Sequence, residues 1–195
     1  MDIQKIVDAI RSNDIDANRA AIESIYANCS QLDDKDIIEI TPSVIYYLWK
    51  LPKFTAQKQF VLELLSHADQ RLRYSLFMYL IDHWSSIQLV RMDKFYYLVK
   101  RILEYYVLDV ETVSSLFNIS TSMDLRTFII RCVVDRLKET TEDMEHFLAG
   151  FASTCPPALL LPLESLRLRK EVALEYAGNK DIGKKNRAAL YSMIK

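Results

Sequence analysis

Apolar residues recur along this chain at steps of three and four with almost no interruption. Ile3, Ile6, Val7 and Ile10 form one stripe behind Asp2, whose carboxylate suits a helix N-cap. Asp14 or Asp16 starts a second helix with Ala21, Ile22, Ile25, Tyr26 and Cys29 on its inner face. Asp33 and Asp34 open a short segment through Ile40, after which Thr41-Pro42 reads as the N-cap and first residue of a new helix ending before Pro52. Thr55 caps the next, with Phe60, Val61, Leu64 and Leu65 inward, and Asp69 begins another that runs to about Trp84. The pattern then predicts helices from about Val90 to Val107, from Asp109 to Phe117, from Asp124 to about Lys138 and from Thr141 to near Phe151. After Pro156-Pro157 a long helix is expected over roughly Leu163 to Tyr176, stopped by Gly178, and a short basic one around Arg187 to Ile194.

No stretch alternates with period two long enough to demand a sheet. The fold class expected is all-α: a HEAT/armadillo-like array of about ten antiparallel helices, with an irregular helical bundle as the alternative. One helical-repeat domain over 1–178 and a short basic segment over 179–195 are the expected divisions.

Composition supports this picture. The chain has 195 residues, of which 50% are hydrophobic, so it can bury a core without covalent staples. Only 3 glycines and 5 prolines argue against a turn-rich β protein. Cys29, Cys132 and Cys155 are odd in number and far apart, which speaks against a disulfide framework and for a reducing compartment. Met1-Asp2 leads straight into an amphipathic stretch, so no secretory signal is expected, and no apolar run reaches membrane-span length.

A formal net charge of −1 conceals a segregation. Residues 50–101 carry 9 basic and 4 acidic groups, and residues 167–195 carry 8 and 3. The two blocks that precede them are acidic in turn. In a folded array such blocks either make patches that attract phosphates or acidic partners, or pair with one another between helices.

Catalytic patterns are missing. His67, His83 and His146 have no i, i+4 partner for a helical zinc site, and the three glycines cannot build a phosphate-cradling loop. No serine sits in a nucleophile elbow. No enzyme activity, cofactor, metal or small-molecule substrate is therefore expected. Trp49 and Trp84, each at a helix end, are expected as core anchors.

The stretch from Arg91 to Leu103 stands apart. Arg91, Lys94, Tyr97 and Arg101 share one helical face, while Met92, Phe95, Val99 and Ile102 form the opposing apolar stripe. A cation–tyrosine face suits RNA phosphates with aromatic packing on a base, suits docking onto an acidic protein surface, or is a solvated face. Lys50 and Lys53 belong to the same basic block. Lys184, Lys185 and Arg187 make a second cluster, read as a tail ordered by a partner.

Three pieces in order carry a resemblance: Tyr46-Tyr47-Leu48-Trp49-Lys50 followed by Pro52-Lys53, the helix Phe77 to Trp84 followed by Ser85-Ser86-Ile87, and Arg91-Met-Asp-Lys-Phe-Tyr-Tyr-Leu98. Together they resemble the eukaryotic ribosomal RNA-processing protein 1 family, most clearly over residues 40–107. The resemblance implies a non-catalytic factor of the nucleus and nucleolus. Such a factor would act in processing large-subunit precursor rRNA within pre-60S particles, with pre-60S assembly factors and precursor rRNA as partners and no membrane role. Family members usually continue into a long lysine-rich tail, whereas this sequence stops at Lys195. The rival expectation is a helical-repeat protein–protein adaptor with no RNA role.

Overall fold

Side-chain caps start most of the helices. Asp2, Asp14, Asp33, Asp69, Asp109, Ser122 and Thr141 each accept a backbone N–H from the first turn that follows. The computed structural model describes residues 2–137 and 140–194. Eleven α-helices run through them: α1 Ile3–Arg11, α2 Ile15–Asn28, α3 Asp34–Lys50, α4 Phe54–His67, α5 Gln70–His83, α6 Met92–Leu103, α7 Val110–Phe117, α8 Met123–Val134, α9 Glu142–Thr154, α10 Lys170–Ala177 and α11 Lys184–Ser192. Among the described residues there is no strand beyond one isolated bridge between Leu168 and Ile194. The fold is all-α.

The chain divides into two compact units, Met1–Tyr105 and Tyr106–Lys195. In the first, helices pack mainly on their next-but-one neighbours. α1 lies on α3 and α3 on α5, while α2 lies on α4 and α4 on α6. This two-layer order is that of a HEAT-like array. Ile40, Val44, Leu48, Val61, Leu64, Leu76, Leu80, Leu98 and Ile102 fill the space between the layers with no residual exposure. In the second unit α7 packs on α8 and α9, and α9, α10 and α11 pack on one another, an arrangement closer to an irregular bundle. The division after Tyr105 stands beside the sequence expectation of 1–178 and 179–195.

Several expected boundaries shift. Thr41-Pro42 starts nothing: α3 passes straight through it, because Asp33 already caps the helix and Ile37, Ile40, Val44 and Leu48 form one buried stripe across the proline. Thr41 turns its hydroxyl back to the Ile37 carbonyl at 2.6 Å. Lys53, not Thr55, precedes α4, and Ser122, not Asp124, caps α8. The expected end of that helix near Lys138 lies outside the described residues. The long helix expected from Leu163 is a 3-10 turn at Leu161–Leu163, an extended link and the shorter α10. The basic C-terminal segment is no loose tail. Leu190 and Met193 are fully buried, and Asn186 donates to the carbonyls of Ala152 and Cys155 at the end of α9, at 2.8 and 2.9 Å.

That last contact is one instance of a repeated device. The final carbonyls of a helix lack intrahelical donors and carry partial negative charge. Here a side chain from another helix supplies the donor. Arg73 of α5 donates to Leu65 of α4 at 3.0 Å, and Arg126 of α8 to Phe117 of α7 at 2.7 Å. Lys50 at the end of α3 reaches the end of α1, donating to Ser12 at 2.6 Å and to the amide oxygen of Asn18 at 2.8 Å.

Candidate partner-binding surfaces

α6 shows what becomes of the cation–tyrosine face. Phe95, Leu98, Val99, Ile102 and Leu103 are buried, so the apolar stripe seals against α4 and α5. Lys94, however, lies inside and not out: it is 6% exposed. Its ammonium donates to the carbonyls of Leu48, Trp49 and Leu51 at 3.1, 3.1 and 2.9 Å. Those three bonds use all its hydrogens and close the C-terminus of α3. Burial, and then the charge of Arg91, pull the Lys94 pKa below the usual lysine value. Arg91 joins the same cap, donating to Trp49 at 2.9 Å with its guanidinium 4.0 Å from the Trp49 ring centre. The sequence expectation of one outward face is therefore corrected at Lys94, because α3 ends where α6 passes and needs a donor.

Lys50 is similarly committed, leaving Lys53 as the freely exposed member of the candidates near α3. Tyr97 and Arg101 stay half-exposed. Arg101 pairs with Glu104 at 2.8 Å and sits 5.8 Å from the Tyr97 ring centre. Two residues that sequence reasoning passed over complete this edge. Phe54 of α4, 50% exposed, meets Tyr97 edge-on at 6.4 Å. Lys58 lies 4.4 Å from the Phe54 ring centre and 5.7 Å from that of Tyr97. The Phe54–Lys58 pair at i, i+4 directly after Pro52 was the signal available for finding them. The result is a strip of alternating rings and cations, Phe54, Lys58, Tyr97 and Arg101, beside a cleft of about 580 Å³ walled by Lys50, Phe54, Arg91 and Lys94, with Asp93 as its carboxylate.

Lys184, Lys185 and Arg187 belong to the second unit. The two lysines are exposed on the first turn of α11, and Arg187 donates to the Asn179 carbonyl at 2.9 Å.

A second surface lies between α3 and α5. The two helices run side by side in one direction. Asp34 meets Arg71 at 3.4 Å near their starts, Thr41 meets Ser75 at 2.9 Å further on, and Trp49 faces His83 across a cleft near their ends. Trp84 is the expected core anchor, but Trp49 is half-exposed and stacks on Tyr46 at 5.6 Å. Opposite, Tyr79 stacks on His83 at 4.1 Å. Cavities of about 350 and 440 Å³ share the Tyr79 wall and make one groove along the helix pair.

Among the described residues no three His, Cys, Asp or Glu side chains gather as metal ligands, and no helix is long and apolar enough to cross a membrane. No protein-family model matches the chain, and no curated protein matches it.

Proposed function

We propose that this protein is a non-catalytic assembly factor in ribosome biogenesis. It would act in the nucleolus on large-subunit precursor rRNA within pre-60S particles. The observation that carries this reading is the meeting of the three sequence pieces on which the family resemblance rests. Arg91 and Lys94 of the third piece hold the carbonyls of Leu48 and Trp49 in the first, and Tyr96 of the third meets Trp84 of the second edge-on at 4.8 Å. Residues from three separate pieces of the 46–98 stretch thus form one structural knot.

The exposed strip on α4 and α6 gives the reading a place to act. Phosphates would meet Lys53, Lys58 and Arg101, and bases would stack on Phe54 and Tyr97. Titrating the purified protein with large-subunit precursor rRNA fragments at several salt concentrations tests this. Each neutralised phosphate contributes a log–log slope of about −0.7 on single strands. Reversing Lys58 and Arg101 to Glu should weaken RNA binding and flatten that slope, and should reduce co-sedimentation with pre-60S particles. Unchanged values in both assays would remove RNA from the function. The α3–α5 groove favours a second reading, a protein adaptor. Co-purification of pre-60S factors that persists after RNase, together with no direct RNA binding, would support it instead.

A further inference from the structure

We infer that the α3–α5 groove is the docking site for a basic amphipathic helix of a partner protein; this stands whether or not the protein binds RNA. The groove follows α3 from Asp34 to Trp49, about 23 Å at the helical rise, enough for four turns of a second helix. Its rim carries apolar side chains left open to water: Ile38 is 67% exposed and Tyr74 57%. Met78, Tyr79 and Pro42 continue the lining between them and Trp49. Isolated apolar residues on a surface need no explanation, but a contiguous row rimmed by polar groups marks an interaction site. Helix-in-groove recognition reads such a row through anchors at i, i+3, i+4 and i+7.

The charges select the occupant. Asp34 and Asp82 line one end of the groove against one cation, Arg71, while at the other end Arg91 and Lys50 lie against the Trp49 and Tyr46 rings. The Arg71 guanidinium is already bound to Asp69 at 2.8 Å and to Asp34 at 3.4 Å. Asp82 is exposed one turn from Met78 and Tyr79. The Asp34–Asp82 end is therefore the carboxylate-bearing one, which repels a phosphate backbone and suits lysine or arginine beside the occupant's apolar anchors there. Pro42 adds a further feature, since it has no N–H to give the Ile38 carbonyl at the groove's edge. RNA and this helix would thus use different surfaces of the first unit.

The test uses the full chain and three labelled probes followed by fluorescence anisotropy: a 16-residue leucine–lysine amphipathic helix, its leucine–glutamate counterpart and a single-stranded RNA. The leucine–lysine helix should bind, the glutamate version at least tenfold more weakly. Ile38→Asp and Tyr74→Asp should each weaken the first probe about tenfold, and Asp82→Lys should shift preference toward the glutamate probe. Both tyrosine and isoleucine are exposed, and thermal melting confirms that the variants fold. RNA binding should be unaffected by all three substitutions, which separates a failure of this site from a failure of the ribosomal reading. Equal binding of the two helices, insensitivity to Ile38→Asp and Tyr74→Asp, or displacement of the helix by RNA would overturn the inference.

Discussion

The Lys94 ammonium donates to the Trp49 carbonyl, 45 positions earlier in the sequence, at 3.1 Å. This contact joins the end of α3 to the start of α6 and explains why a lysine is buried there. Replacing Lys94 with Met keeps the aliphatic stem but takes the side-chain donor from the Leu48 carbonyl, while Trp49 keeps Arg91 and Leu51 keeps Gln57. A stability loss of roughly 1–3 kcal/mol is expected, since bonds to charged groups are the stronger kind and the Leu48 carbonyl is left without one. Urea unfolding measures it. A midpoint equal to that of the parent would show that water replaces the cap at no cost.

The second unit contains a buried carboxylate held by the Arg169 guanidinium and backbone N–H and by the Thr140 hydroxyl. Glu145 is 2% exposed and accepts from the Arg169 guanidinium at 2.7 Å. Arg169→Ala takes the guanidinium away from this buried carboxylate and should lower the urea midpoint. Adding Glu145→Gln to Arg169→Ala should recover part of the loss. No recovery in the double variant would mean that packing, not charge, holds this pair.

α11 is a structural member of its unit. Ending the chain after Ile182 removes Asn186, Leu190 and Met193 from contact with α9 and α10. Amide exchange in those two helices should then rise sharply. Protection equal to that of the intact chain would restore the segment to the role of a dispensable tail.

Alkaline pH should weaken the fold. Burial pushes the Cys155 thiol up to about 11 from an ordinary value of 9.0, and burial also raises Cys29 and Tyr47. Between those two thiol values the folded chain holds a proton that the unfolded chain has lost. The contribution is fully present below about pH 9 and disappears as pH rises through the folded value. Lys94, shifted down, works in the opposite sense. Urea midpoints should fall from pH 8.5 to 10.5, less steeply in Cys155→Ala. The same slope in both proteins would rule this thiol out as a cause.

Local chemistry made most of the helices readable. The 3.6-residue stripe survives in any one-dimensional reading, and Asp2, Asp69, Asp109 and Thr141 cap where short-range geometry says they should. Pro42 misled because its local cost is outweighed by a buried stripe whose partners on α1 and α5 are not neighbours in sequence.

Sequence alone determined that this chain is helical, amphipathic along its length and charge-segregated, because those properties depend on residues a turn apart. Tertiary structure decided which cations face water. Lys50, Arg73, Arg91, Lys94 and Arg126 all look like surface charges in a list, yet each reaches the carbonyl end of another helix. A helix terminus draws donors from whatever side chain packs against it, and that neighbour is chosen by the fold. Lys58 stays exposed, with its ammonium over the Phe54 and Tyr97 rings and not at a helix end.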